Sequence, residues 1–481
     1  MWGASNRSFC FKLALAAAFV VLIAAVRLPF ITNILAGEEG DFVALVLNDV
    51  PTSALDPDHL PREISGSVDG KLILSTFHRT VMPYIILERL GRLFAPHHAL
   101  GRMPPEKLTV AGRMPFAIIF FLGTAGLIAL TIQAATSATK SSSAAIAIAP
   151  LAVTFWSLTS PLAVGASIQP QLDGSAGVLL LGIAATLLAV GDIGRSGARW
   201  RFLTAGVLAG LGKHEWAMAF AAAAALGVAT IALAPILARR AANLAFAAFF
   251  IGLALAVALS YAISPEDYRQ GFQVMANFYS ETGGQLWALE PAQWPLTLPV
   301  MALVVADGIF LLFVLRPLLR TAPGLLLAYL GATGITIGYT VSGWHGDNFP
   351  RYFAPPLVML PIVFVALWLR FKESISPPIG WSVVIAATLG LGANYAFLAE
   401  SYAGKVSLTE LRGTPLAQLA QDVETAAKIA HDTNGVVITE TTTWIYHPGI
   451  NYIWATKAYA ERYLAAHFPA FKDRLVLPPQ P

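Results

Sequence analysis

LTAGVLAGLGKHEWAMAFAAAAALGVATIALAPILA (203–238) decides how this chain is read. Nearly every residue in it is apolar. As one α-helix it would run to about 54 Å at ~1.5 Å per residue, well beyond the ~30 Å hydrocarbon core of a bilayer. The stretch therefore predicts a hairpin of two membrane helices. Inside it, GLGKHEW (210–216) carries Lys213, His214 and Glu215, and charges at depth are costly unless they face a cavity or a partner. Two readings stay open. Lys213 pairs with Glu215 or Asp173, or else Lys213 and His214 meet an anionic ligand from outside. A phosphate-loop reading fails, because the glycine spacing before Lys213 is off by one and His214 replaces the required Ser/Thr.

The composition extends this reading to the whole chain. Of 481 residues, 56% are hydrophobic and only 12% charged, and the mean hydropathy is +0.64. An ordinary soluble domain carries about twice that charged fraction. Further apolar stretches lie near 11–31, 113–134, 144–162, 172–190, 243–263, 297–315, 323–341, 353–370 and 380–399. With the hairpin they predict an all-α polytopic membrane protein of about eleven transmembrane helices. The first stretch is long for a signal segment and is expected to stay as an uncleaved helix. A lone cysteine, Cys10, excludes a disulfide framework and a cysteine metal site. The net charge of +3 is small and its basic residues are scattered, so no nucleic-acid partner is expected.

Loop charges orient the spans. With the N-terminus inside, the short cytoplasmic loops hold Lys140, Arg195, Arg199, Arg201, Arg239, Arg240, Arg316, Arg320, Arg370 and Lys372 against only Asp192 and Glu373. The division is then a transmembrane domain over 1–400, with a large outside loop at about 32–112, and a small α/β appendage over 401–481, also outside. In the first loop, LILSTFHRTVMPYIILERLGRLF (72–94) suits a helix lying in the membrane interface. In the appendage, leucines 408, 411, 416 and 419 suggest an amphipathic helix, and GVVITETTTWIY (435–446) a strand. No internal repeat stands out.

Three outside elements carry chemistry. GEEGDF (37–42) places Glu38, Glu39 and Asp41 where the first span ends. An ionised carboxylate there can take a proton from an attacking hydroxyl, bind a divalent cation, or simply favour a helix dipole. QPQLDGS (169–175) sets Asp173 at the outside start of a span, where helix capping competes with function. WHGDNFPRYFAPP (344–356) holds Arg351, whose planar guanidinium can clamp a phosphate with two donors. Interfacial anchoring by Arg351, Tyr352 and Trp344 is the competing account. Outside acids facing outside basic groups at membrane level suit a substrate with a phosphate head and a lipid tail.

The order of these features resembles the GT-C superfamily of integral-membrane glycosyltransferases, in the branch with protein O-mannosyltransferases and aminoarabinose lipid A transferases. The motifs are Arg27-Leu28-Pro29, then Glu38-Glu39 with Asp41, then Phe77-His78-Arg79-Thr80-Val81-Met82-Pro83-Tyr84. Glu106 and Arg113-Met114-Pro115 follow, then Asp173, the glycines 206, 210 and 212 before Lys213, and Arg351-Tyr352-Phe353-Ala354-Pro355-Pro356. Together they span about residues 20 to 400. The family's acidic pair is often Asp-Glu where this chain has Glu-Glu, and His78 lacks the proline run that often follows it.

The resemblance implies transfer of a sugar, with inversion, from a polyprenyl-phosphate-linked donor to a hydroxyl of a glycan, lipid or protein. The setting would be the periplasmic face of a bacterial inner membrane, with the N-terminus cytoplasmic and the C-terminus periplasmic. It implies Glu38 or Glu39 as the base, Asp41 and Asp173 as supporting acids, and Lys213, Arg351, Lys71, His78 and His345 as contacts to phosphate. No cofactor is required by the sequence, and a divalent metal at Glu39, Asp41 and a histidine stays open. The alternative is a transporter or flippase of lipid or sugar-lipid. It would distribute polar residues through both halves of the bilayer.

Overall fold

The computed structural model describes residues 4–31, 65–69, 71–73, 105–137, 143–168, 172–193, 197–212, 214–231, 236–263, 294–341, 349–403, 431–439, 451–454 and 457–476, with a few isolated positions between them. Helix α1 covers Ala4–Ala25, α2 Pro105–Thr136, α3 Ala144–Leu158 and α4 Pro161–Ile168. A π-helical turn, Leu172–Ala176, leads into α5, Gly177–Ala189. Then follow α6 Ala198–Gly210, α7 His214–Ile231, α8 Ile236–Ile263, α9 Trp294–Thr321, α10 Pro323–Val341, α11 Phe349–Phe371 and α12 Pro377–Tyr402.

Five of these helices are long and apolar enough to cross a membrane, and α3 with α4 makes a sixth candidate bent by 55°. The chain is thus a multi-pass all-α protein. The 203–238 stretch does break into two helices, α6 and α7, at residues 211–213. Its last residues already belong to α8, because α7 stops before Pro235. Two expected boundaries are revised by proline. The 144–162 span breaks at Thr159–Ser160, ahead of Pro161, and runs on to Ile168. The first helix ends at Ala25, and a separate turn, Leu28–Ile31, follows around Pro29.

Helix α11 is the axis of the bundle. Every residue from Tyr352 to Trp368 is buried, and the helix packs against α2, α4, α5, α9 and α10. A helix that is apolar all round belongs in an interior. Prolines inside it remove N–H groups from the ladder and free the carbonyls four residues earlier, which must find partners where no water reaches. Pro361 frees Leu357 O, and the Ser157 hydroxyl donates to it. In α3, Pro150 frees Ile146 O, and the Trp368 indole N–H donates to it at 2.9 Å.

The two ends of the bundle differ in chemistry. At one end Arg370 pairs with Asp192 at 2.7 Å, Arg201 donates to Asp192 O at 3.1 Å, and Lys372 donates to Ser137 O at 2.6 Å. Asp192, Arg201, Arg370 and Lys372, from loops expected on one side by charge, therefore share one end of the bundle.

A five-stranded sheet is assembled from two distant segments. Strands β1 (Ser65–Val68) and β2 (Lys71–Ile73) come from the segment between α1 and α2. Strands β3 (Val436–Thr439), β4 (Asn451–Trp454) and β5 (Leu475–Val476) come from the C-terminal part. The order is β2-β1-β4-β3-β5, antiparallel at β2/β1 and β1/β4 and parallel beyond. Val68, Val436, Ile438 and Ile453 share a core with Ala460 and Leu464 of α13 (Lys457–His467). Of the strand expected over 435–446, Val436–Thr439 is present as β3, and 440–446 lies outside the described residues. The interface helix at 72–94 beyond Ile73 and the amphipathic helix near 408–419 lie outside the described residues.

Candidate active site

At the end opposite the basic loops, the chain turns are held by buried side chains. Arg27 is 1% exposed. Its Nη1 donates to Ile23 O at 2.8 Å, its Nη2 to Leu158 O at 2.7 Å and its Nε to Ser167 Oγ at 2.6 Å. The guanidinium also lies over the rings of Phe120 and Phe121, 5.1 and 5.5 Å from their centroids. A cation at the C-terminus of α3 meets the negative end of its dipole. The neighbouring orphan carbonyl, Trp156 O, accepts from Asn394 Nδ2 at 2.9 Å. Arg113, fully buried, donates to Phe30 O at 2.7 Å. The arginines of both R-x-P motifs therefore hold helix ends together.

Ser167 carries this network to the π-helical turn. It donates to Val164 O at 2.8 Å, and its own carbonyl accepts from Ser175 Oγ at 3.4 Å. That turn contains Asp173. Single π-turns are frequent at functional positions, because the extra residue re-aims the side chains around it.

Four residues beyond Asp173, Gly177 faces the ring of Trp216. A Cβ on Gly177 would stand 2.4 Å from Trp216 Cη2 and 3.1 Å from Pro355 Cγ. A Cβ on Gly212 would stand 2.3 Å from Trp216 Cε3. The indole N–H of Trp216 donates to the Tyr339 hydroxyl at 3.2 Å, and the Tyr339 ring stacks on Tyr352, centroids 4.7 Å apart. Trp216, Tyr339 and Tyr352 are all buried. This aromatic node joins four places: the π-turn with Asp173, the α6–α7 turn with Lys213, the C-terminal end of α10, and the start of α11 with Arg351.

The glycines before Lys213 act in packing. A Cβ on Gly206 would stand 2.0 Å from Phe249 O, so Gly206 lets α6 and α8 touch backbone to backbone. Gly210 meets Leu253 and Ala256 of α8 in the same way.

Among the sequence-derived site residues, the structure places the backbones of Asp173 and Arg351 on elements in contact, the π-turn and α11. Lys71 falls in β2, opposite Val68. The side chains of these three lie outside the described residues, as do Glu38, Glu39, Asp41, His78, Lys213 and His345. Among the described residues no three of His, Cys, Asp and Glu gather closely enough to hold a metal ion. Sequence reasoning missed Trp216, Tyr339 and Tyr352 as a unit. The signal available was their adjacency to Lys213 and Arg351 and their place at the outer ends of spans.

No family profile and no curated protein matches this chain. Two solved structures are similar to it in chain course. One is ArnT from Cupriavidus metallidurans in the apo state, with 14% identity, a TM-score of 0.49, and coverage of 91% of this chain and 82% of that one. The other is the same protein bound to undecaprenyl phosphate, with 12% identity, a TM-score of 0.47, and coverage of 88% and 82%. A likeness at this level assigns no activity to this chain.

Proposed function

We propose that this protein is a membrane glycosyltransferase that moves a sugar from a polyprenyl-phosphate carrier to an acceptor hydroxyl on the outer face of a bacterial inner membrane. The observation that carries the proposal is the meeting of the segments bearing Asp173, Lys213 and Arg351 around the Trp216 ring. These segments come from three separate motifs, and they converge at the end of the bundle away from the basic loops.

In this reading Glu38 or Glu39 takes the proton of the attacking hydroxyl while the anomeric carbon inverts. Asp41 and Asp173 support that charge distribution. Lys213 and Arg351, with Lys71, His78 and His345, hold the departing lipid phosphate, and arginine suits it by presenting two parallel donors. Glu39, Asp41 and a histidine would supply oxygen and nitrogen ligands to a divalent cation if the reaction uses one.

The test is sugar transfer by the purified full chain from polyprenyl-phosphate sugars to lipid, glycan and protein acceptors, read as release of free lipid phosphate. Glu38→Gln or Glu39→Gln is expected to lower the rate by about 10²–10⁴-fold, the usual worth of a general base, with folding unchanged. Wild-type rates in both variants would remove the assigned base. Cytoplasmic labelling of a cysteine placed at residue 39 would overturn the sidedness and the mechanism together.

A further inference from the structure

We propose that Asp307 on α9, with Tyr329 and Thr333 on α10, forms a midspan binding site for one monovalent positive charge, carried by a proton or by Na⁺. Asp307 lies near the centre of the apolar span Thr297–Thr321 and is fully buried. Neither of its carboxyl oxygens meets a hydrogen-bond donor among the described residues, and Thr333 Oγ1 is equally buried and unpartnered. On the opposite side of the same helix Val305, Ile309, Leu312 and Phe313 are exposed. The carboxyl is therefore held within the bundle, away from lipid.

A phenol from the facing helix reaches the backbone on either side of Asp307. Tyr329 donates to Val304 O at 3.1 Å, one turn before Asp307. A Cβ on Gly308, the next residue along, would stand 2.6 Å from that same hydroxyl. Thr333 follows Tyr329 by one turn on α10.

A bare carboxylate in such a place is very costly, and no arginine or lysine bridges to it among the described residues. The site must be neutralised by a bound charge. Hard oxygen donors select a proton or a hard cation over a softer transition metal. A single carboxylate matches one positive charge, whereas divalent sites gather several anionic ligands. The proposal is independent of the glycosyltransferase reading, since none of these residues belongs to that site.

The experiment uses the purified full chain in detergent, prepared without sodium. Infrared spectra of wild type and Asp307→Asn are compared, and thermal unfolding is followed while NaCl replaces KCl at constant ionic strength. A protonated-carboxyl band present in wild type and lost in Asp307→Asn establishes the proton form. Where that band is absent, a sodium-dependent rise in Tm that Asp307→Asn abolishes establishes the Na⁺ form. If Asp307→Asn fails to fold, Tyr329→Phe keeps the carboxyl and is expected to shift the band or weaken the sodium response. An ionised carboxylate with a Tm indifferent to sodium overturns the proposal.

Discussion

The indole of Trp216 reaches the Tyr339 hydroxyl across 3.2 Å, joining the first turn of α7 to the last turn of α10. Those turns flank Lys213 and the loop before Arg351. Tyr339→Phe leaves the buried indole N–H without its acceptor and is expected to cost about 1–3 kcal/mol. Trp216→Ala opens a large cavity and is expected to cost about 3–5 kcal/mol. Thermal unfolding in detergent measures both. Trp216→Phe keeps much of the ring but releases the tie, and sugar transfer is expected to fall by up to about 10²-fold, the scale of a ~1 Å misplacement. Unchanged transfer in that variant would detach the node from the site.

Arg27 donates to four oxygens on three different segments, and its positive charge is buried. Arg27→Ala leaves Leu158 O without this donor and opens a cavity where three segments meet, and is expected to destabilise by about 2–5 kcal/mol. Arg27→Lys should recover little, because one ammonium cannot reproduce the planar fork that serves acceptors on three segments. The comparison of the two unfolding curves decides this. A full rescue by lysine would mean that charge alone matters here.

Ser157 and Pro361 should be energetically coupled. In the wild type, Ser157→Ala leaves Leu357 O unpaired in the core and is expected to cost about 1–3 kcal/mol. In a Pro361→Ala background the new N–H at 361 can supply that carbonyl, so the cost of Ser157→Ala should largely vanish. A double-mutant cycle reads this coupling directly. Additive effects would show that the serine serves another purpose.

The Arg370–Asp192 pair invites the opposite expectation. Its side chains remain 25% and 46% exposed, so solvent screens it. Asp192→Asn is expected to change stability by no more than about 1 kcal/mol. A larger loss would mean that the loop it holds is part of the packed core.

The helices were legible in the sequence because apolar length is a local property. Even the break inside 203–238 followed from length alone. Helix ends were less legible: Pro161 and Pro29 divide apolar stretches that average hydropathy runs together. The side-chain acceptances at Leu357 O and Ile146 O depend on partners some 200 residues away, and no local pattern announces them. Asp307 was overlooked for a related reason. One acid in a span of 25 residues barely alters its mean hydropathy, although its burial makes it the most conspicuous polar group in the bundle. The short strands β1, β2 and β4 owe their form to pairing across the chain and carry little signal of their own. The site was legible as an ordered set of motifs, whereas its aromatic support was hidden among many similar rings.

The five-stranded sheet also sets an order of events during synthesis. Asp69 donates its backbone N–H to Asn451, 382 residues further along, and β1 lies between β2 and β4. A two-stranded hairpin is marginal in water by itself. The β1–β2 pair therefore emerges early and waits for β4 while nearly all of the membrane helices are made. The pair gains its next strand only after residues 451–454 have been made. A chain halted within its membrane helices, however well they insert, would leave β1 with an open edge, because β4 follows the last of them.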